Sequence, residues 1–208
     1  MITGEIFALE LLQNLNINKD ECEVVTKESK DASETVYKIK GKSKIILRDD
    51  NTETSRIVTA AHEVGHFINN RKSILKFLTF KWSGRILIGL VILELFLILM
   101  DFFYKHSTAM IYLIVVLCFL LSFWCNFVKL RDEYGANREA LKLLYRYSDR
   151  IFLKHNDNRN WKSIRKEAKE QLWKGQKKYQ GANYLLPIVS IAPFLVYIAI
   201  LFLILMFS

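Results

Sequence analysis

The chain has 208 residues, 51% of them hydrophobic and 25% charged, with 30 Lys and Arg against 21 Asp and Glu for a net charge of +9. Three cysteines without a C-x-x-C spacing exclude a disulfide framework and a cysteine zinc site. The basic excess brings no nucleic-acid fold signature with it, so no nucleic-acid partner is expected; a basic flank that orients membrane spans and attracts anionic headgroups accounts for it.

Residues 3–14 read as a short amphipathic helix with Ile6, Phe7, Leu9, Leu11, Leu12 and Leu15 in its stripe, too modest for a membrane anchor. Residues 16–32 are polar, and only Val24 and Val25 offer a strand. Residues 34–40 and 44–48, with Gly41-Lys42-Ser43 between them, predict a small β-hairpin whose exposed edge could pair with an extended substrate or serve as ordinary support. Asp49, Asp50, Asn51 and Thr52 are capping candidates, and Glu53 falls in the first turn of the helix that follows. That helix runs to about residue 69, because Ile57, Val58, Ala61, Val64, Gly65 and Ile68 recur at helical intervals.

On this helix stands His62-Glu63-Val64-Gly65-His66, an H-E-x-x-H pattern. Four-residue spacing puts both imidazoles on one face, one turn apart, where they can share a metal ion. Glu63, beside the first ligand, can reach a water on that metal without ligating the metal itself, which makes it the candidate catalytic carboxylate. Gly65 weakens a helix by about 1 kcal/mol against alanine, which implies close approach by another segment. The polar flanks, residues 51–56 and 69–72, place the motif in water rather than lipid.

Apolar residues then concentrate in three runs, 86–104, 107–128 and 184–207, of 19, 22 and 24 residues. At a rise of ~1.5 Å per residue each crosses the ~30 Å of bilayer hydrocarbon. The chain is therefore read as a mainly α membrane protein with three transmembrane helices and a small β-hairpin. The first residues have neither the basic start nor the apolar segment of a signal peptide, so the first insertion is expected to be internal. Arg71, Lys72, Lys76, Lys81 and Arg85 precede the first run, and Lys129, Arg131, Arg138, Lys142 and Arg146 follow the second, whereas only Lys105 lies in the turn between them. The positive-inside rule places the motif in the cytoplasm, the Lys105-His106 turn outside, and Ser208 beyond the outer face.

The expected organisation is residues 1–85 as a cytoplasmic helix, hairpin and motif helix, 86–128 as a transmembrane hairpin, 129–183 as a cytoplasmic helical region and 184–208 as a last span. Residues 129–183 carry fifteen Lys and Arg against seven Asp and Glu. Within them the helix continues through about residue 141, and an interruption at 156–160 precedes a helix with Trp161, Ile164, Ala168, Leu172 and Trp173 on one face. That face could pack on the domain or lie on the membrane surface. Glu94, about nine residues into a span, reads as a structural carboxylate, protonated or paired within the helix bundle.

A catalytic zinc takes three protein ligands and keeps one position for water. Glu94, Asp101 and His106 are separated from a cytoplasmic metal by the membrane, which leaves Asp132, Glu133, Glu139, His155 and the acids of residues 149–170. Glu133 is favoured, at the cytoplasmic mouth of the second span. Asn137, four residues later on the same face, could hydrogen-bond a ligating histidine and fix its tautomer. An oxyanion donor is not chosen among Tyr134, Arg138, His155 and several tyrosines.

Ala60-Ala61-His62-Glu63-Val64-Gly65-His66, an apolar hairpin and then Glu133-Tyr134-Gly135-Ala136-Asn137-Arg138-Glu139-Ala140 resemble the bacterial membrane-associated neutral zinc metallopeptidases. Those pair an A-A-H-E-x-G-H helix with a downstream E-x-x-A-S-R-x-A segment, and the resemblance covers roughly residues 3–145, with Asn137 standing at the serine position. It implies a zincin-like catalytic helix, Zn2+ held by His62, His66 and Glu133, Glu63 as the catalytic residue, and a peptide or protein substrate met at the lipid bilayer. Membrane peptidases related to heat-shock and prenyl-protein processing enzymes share the zinc helix, the apolar hairpin and an E-x-x-A-D segment. The alternative function is a catalytically silent, zinc-containing membrane scaffold or regulatory protein. Nothing in the sequence sets an oligomeric state.

Overall fold

The computed structural model describes every residue except 28–31, 49–50, 105–107, 184 and 208. Asp49 and Asp50, the Lys105-His106 turn, the first residue of the third apolar run and Ser208 therefore lie outside the described residues. The chain divides into two compact units, Met1–Ile74 with Arg131–Lys178 and Leu75–Leu130 with Tyr179–Ser208.

The first unit opens with α1 (Gly4–Asn14), whose N-terminus is capped by the Thr3 hydroxyl accepting from the Ile6 N–H. Asn16 ends it at φ 55°, and the bonds Asn16 N–H to Gln13 O and Ile17 N–H to Leu12 O form a Schellman turn. Asparagine tolerates this left-handed position better than other non-glycine residues, which is why the helix stops here. Phe7, Ala8, Leu11 and Leu12 are buried.

The sheet has three strands, β1 (Cys22–Thr26), β2 (Glu34–Val36) and β3 (Ser43–Leu47), in the order β1-β3-β2. The expected hairpin is present as the antiparallel pair β2–β3, with Thr35 opposite Ile45, and Gly41 at φ 90° in its turn. The Val24-Val25 hint becomes a full strand parallel to β3, with Val24 opposite Ile45. Cys22 and Val24 alternate inward, and that burial lets a short polar stretch join the sheet.

Helix α2 (Thr54–Lys72) carries the motif. Its N-cap residue is Glu53, which makes no side-chain cap bond. Neither Asn51 nor Thr52 caps the helix: Asn51 Oδ1 accepts from the Glu53 N–H at 3.0 Å, and the Thr52 carbonyl accepts from Arg159 Nη1 at 2.7 Å. Ile57, Val58, Ala60, Ala61, Val64 and Phe67 face the core. The second half of α4 (Thr108–Lys154) and α5 (Trp161–Asn183) complete the unit. α4 ends as α1 does, with Asn156 at φ 51° and the Asp157 N–H bonded to Phe152 O. Asp157 then takes the Ile2 N–H at 2.8 Å and Arg159 Nη2 at 2.6 Å; these bonds hold its carboxyl below the usual range and tie the start of the chain to the end of α4.

Asn160 and Ser163 cap α5 reciprocally, each side chain accepting from the other's N–H. Of the face expected on α5, Ile164, Ala168 and Leu172 are buried in the core, while Trp173 is exposed under Lys177 Nζ, 3.8 Å from its ring centre. Packing on the domain is thus the outcome for most of that face.

The second unit contains α3 (Ile74–Tyr104), the first half of α4, α6 (Leu185–Ser190) and α7 (Ala192–Phe207). Among the described residues two helices are long and apolar enough to cross a membrane, over Phe77–Phe103 and Ala109–Lys154. The third expected span is not a single helix, since a turn at Ile191 separates α6 from α7. Pro193 is the local cause: it has no N–H to continue the ladder, and its ring opposes the carbonyl four residues back. Glu94, fully buried, accepts from the Phe194 N–H at 3.0 Å in the first turn of α7, which gives this carboxylate the structural part expected of it.

Candidate metal centre

The small residues of α2 and α4 bring the centre together. A Cβ on Gly65 would lie 2.5 Å from the Ala136 carbonyl oxygen, so a glycine is required where the two helices touch, as its place inside a helix suggested. A Cβ on Gly135 would lie 2.7 Å from Asn69 Nδ2, and Lys72 Nζ bonds Glu139 Oε2 at 3.1 Å farther along the same contact.

This approach sets Glu133 of α4 against the two histidines of α2. His62 Nε2 and His66 Nε2 are 3.1 Å apart, and Glu133 Oε2 lies 3.4 Å from the first and 3.5 Å from the second. A tetrahedral zinc with bonds of about 2.0–2.1 Å separates its ligand atoms by about 3.3–3.4 Å. The three donors therefore fit one small divalent ion in spacing as well as in chemistry, two imidazoles and a carboxylate being an ordinary zinc set.

Protonation follows from the same contacts. Burial alone would lower the pKa of His66, but hydrogen bonds to Asp132 and Glu133 outweigh it and hold the imidazole up at about 10. Burial would raise Glu133, and hydrogen bonds from His62 and His66 outweigh that, bringing it down to about 2. Without metal the centre thus holds a proton, which a cation held by these residues would displace. His66 Nδ1 bonds Asp132 Oδ2 at 2.9 Å, and Asp132 Oδ1 accepts from Asn69 Nδ2 at 2.6 Å. Asp132 thereby fixes the ring so that Nε2 faces the other donors.

That contact corrects the expectation for Asn137. Its amide donates to Leu172 O at 3.4 Å and Gln176 Oε1 at 3.5 Å, so it ties α4 to α5, and the partner of the histidine is Asp132. The sequence had Asp132 among the ligand candidates; the adjacent carboxylates Asp132 and Glu133 divide into one at the donor cluster and one behind His66. His62 Nδ1 is buried with no hydrogen-bond partner among the described residues. Of the other candidates, Glu139 pairs with Lys72 and Lys142, and His155 bonds Glu10 Oε1 at 3.0 Å.

Glu63 is buried on the same helix, and the Thr35 hydroxyl of β2 lies 2.7 Å from its Oε2 and 2.9 Å from its backbone carbonyl. Sequence reading missed Thr35. The predicted hairpin was the one available signal, because β2 and β3 both pack on α2 and Thr35 of β2 bonds Glu63.

Two histidines one turn apart, a carboxylate from a second helix and a further carboxylate beside the first histidine define a candidate mononuclear metal centre on a helical scaffold. Residues 1–169 match the family described as "Putative neutral zinc metallopeptidase", and the chain belongs to that family. The match takes in every residue of the centre, and the family's name implies zinc for the His62, His66 and Glu133 cluster. Neither the comparison with curated proteins nor that with solved structures found a match.

Proposed function

We propose that the protein is a zinc-dependent peptidase of the membrane surface, with His62, His66 and Glu133 as metal ligands and Glu63 as the catalytic carboxylate. The observation that carries this reading is the convergence of three donor atoms at 3.1 to 3.5 Å from one another, with Glu63 next in the chain to the first of them, His62. Zinc, when bound, supplies Lewis acidity toward a water and a substrate carbonyl. Glu63 takes the proton of the attacking water and delivers it to the leaving nitrogen. Thr35 holds one oxygen of that carboxylate, leaving the other for the proton. Because β2 is an edge strand, an extended peptide laid along it would come to rest beside Glu63, which supports an extended substrate backbone.

Replacing Glu63 by Gln tests the assignment. Peptide cleavage should fall by about 10²–10⁴-fold with zinc content unchanged, and full activity in that variant would overturn it.

The two long apolar helices support a place in the membrane, and the Lys and Arg flanking them support a centre on the cytoplasmic side. Cys22 is 2% exposed and too buried to report on sidedness. Lys40→Cys, in the exposed hairpin turn, gives a usable probe. It should resist an impermeant thiol reagent in intact cells and react after lysis; labelling in intact cells would place the centre outside.

A further inference from the structure

Outside the metal centre, the second unit holds a cavity of about 580 Å³ that the peptidase reading does not use. Lys81 and Arg85 of α3 and Lys129 of α4 line it, and no acidic residue does. Its remaining wall includes Ile88 of α3 with Leu186 and Val189 of α6.

The distribution of charge sets this cavity apart. Arg71, Lys72, Lys142, Lys154 and Arg159 of the first unit each face a carboxylate. Lys81 and Arg85 have no carboxylate partner among the described residues and sit instead against rings, Lys81 at 5.9 Å from the Phe77 centre and Arg85 at 5.4 Å from that of Trp82. They are one turn apart on the same face of α3, and the helix goes on from them into its apolar stretch. Aromatic rings beside long cationic side chains at the end of an apolar helix are the pattern of a membrane interface.

We propose that this cavity binds the phosphate of an anionic phospholipid headgroup, with the lipid's apolar part along Ile88, Leu186 and Val189. A guanidinium and an ammonium group without a carboxylate partner among the described residues, Arg85 and Lys81, match a phosphate oxyanion, and Arg85 can engage two of its oxygens at once. Free inorganic phosphate offers the same oxyanion but has no use for the apolar wall, so the amphiphile is the better occupant. The volume falls in the range of small-ligand sites, and the pocket is open on one side, as a lipid entering from the bilayer requires. The proposal rests on α3 and α4 lying in a membrane and is independent of the zinc chemistry.

The test is native mass spectrometry of the full chain released from detergent with zinc bound, titrated separately with phosphatidylglycerol, phosphatidylcholine and inorganic phosphate. The native protein should retain phosphatidylglycerol at least about tenfold more tightly than phosphatidylcholine, and the double variant Lys81→Gln, Arg85→Gln should lose most of that preference. Gly84→Leu is the second variant. Gly84 lines the cavity and a Cβ there meets no atom within 4 Å, so the fold accepts the side chain while the space is filled. This variant should lose bound lipid and keep its zinc. Equal retention of the two lipids by the native protein, an unchanged preference in Gly84→Leu, or phosphate competing at the same concentration as phosphatidylglycerol would overturn the proposal. Failure of the membrane reading would show separately, as a chain that stays in the aqueous phase without detergent and does not float with vesicles.

Discussion

The two units solve opposite solvation problems. In the first, large apolar side chains build a closed core: Phe7 and Phe152 are fully buried and stack at 5.7 Å, with Leu11, Ile45, Ile57 and Leu144 in the same core. In the second, large apolar side chains face outward, Ile88 at 63%, Phe96 at 54% and Phe103 at 79% exposure, while Glu94 and Ser122 are fully buried. Water drives apolar groups inward in the first case; the membrane placement proposed for the second would remove that drive and make polar groups seek internal partners. Ser122 bonds Phe119 O and Ser190 bonds Pro187 O in this way, and Glu94 serves the Phe194 N–H. Carboxylates in the two units therefore have different employment, the buried Glu94 serving the first turn of α7 and the partly exposed Asp132 orienting a histidine.

Substitutions can break this contrast. The largest effect is expected from Phe152→Ala, which should lower the unfolding free energy by about 3–5 kcal/mol, whereas Phe103→Ala should stay within about 0.5 kcal/mol. Thermal or chemical unfolding of the two variants in the same detergent measures the difference, and similar losses would refute the inside-out assignment of the second unit.

Next comes Asp132→Asn, which keeps the shape of the side chain but removes its charge from His66. Zinc affinity should fall by about 10–100-fold, read by competition with a chelator, with little change in unfolding. An unchanged affinity would reduce Asp132 to a surface charge.

The smallest effects compare two glycines. Gly65→Ala drives a Cβ against the Ala136 carbonyl and should cost about 1–3 kcal/mol, together with some zinc affinity. At Gly89 of α3 a Cβ meets nothing within 4 Å, and alanine there should change stability by less than about 1 kcal/mol. Equal tolerance at both positions would remove the tight contact between α2 and α4 from the account of the site.

Much of this was legible in order along the chain because it depends on local spacing. The helix under His62 and His66, the turn at Gly41 and the outline of two long apolar helices follow from periodicity, from the turn residues and from run length. The β1 strand was barely visible, since Val24 and Val25 gain their place by pairing with β3, about twenty residues away. The third apolar run was read by its length alone, and Pro193, present in the sequence, was the feature that divides it into α6 and α7.

The candidate site divides along the same line. By itself the sequence determined His62, Glu63 and His66, because four-residue spacing on a helix is a local property that survives any tertiary arrangement. It narrowed the remote ligand to a few acids, and resemblance then pointed to Glu133. Only the tertiary structure brought Glu133 to 3.4 Å from His62, put Asp132 rather than Asn137 behind His66 and set Thr35 against Glu63. Those contacts join residues far apart in the chain through the close approach of α2, α4 and β2. Such an approach is decided by how small side chains pack and where buried polar groups find partners, which spacing along a sequence does not encode.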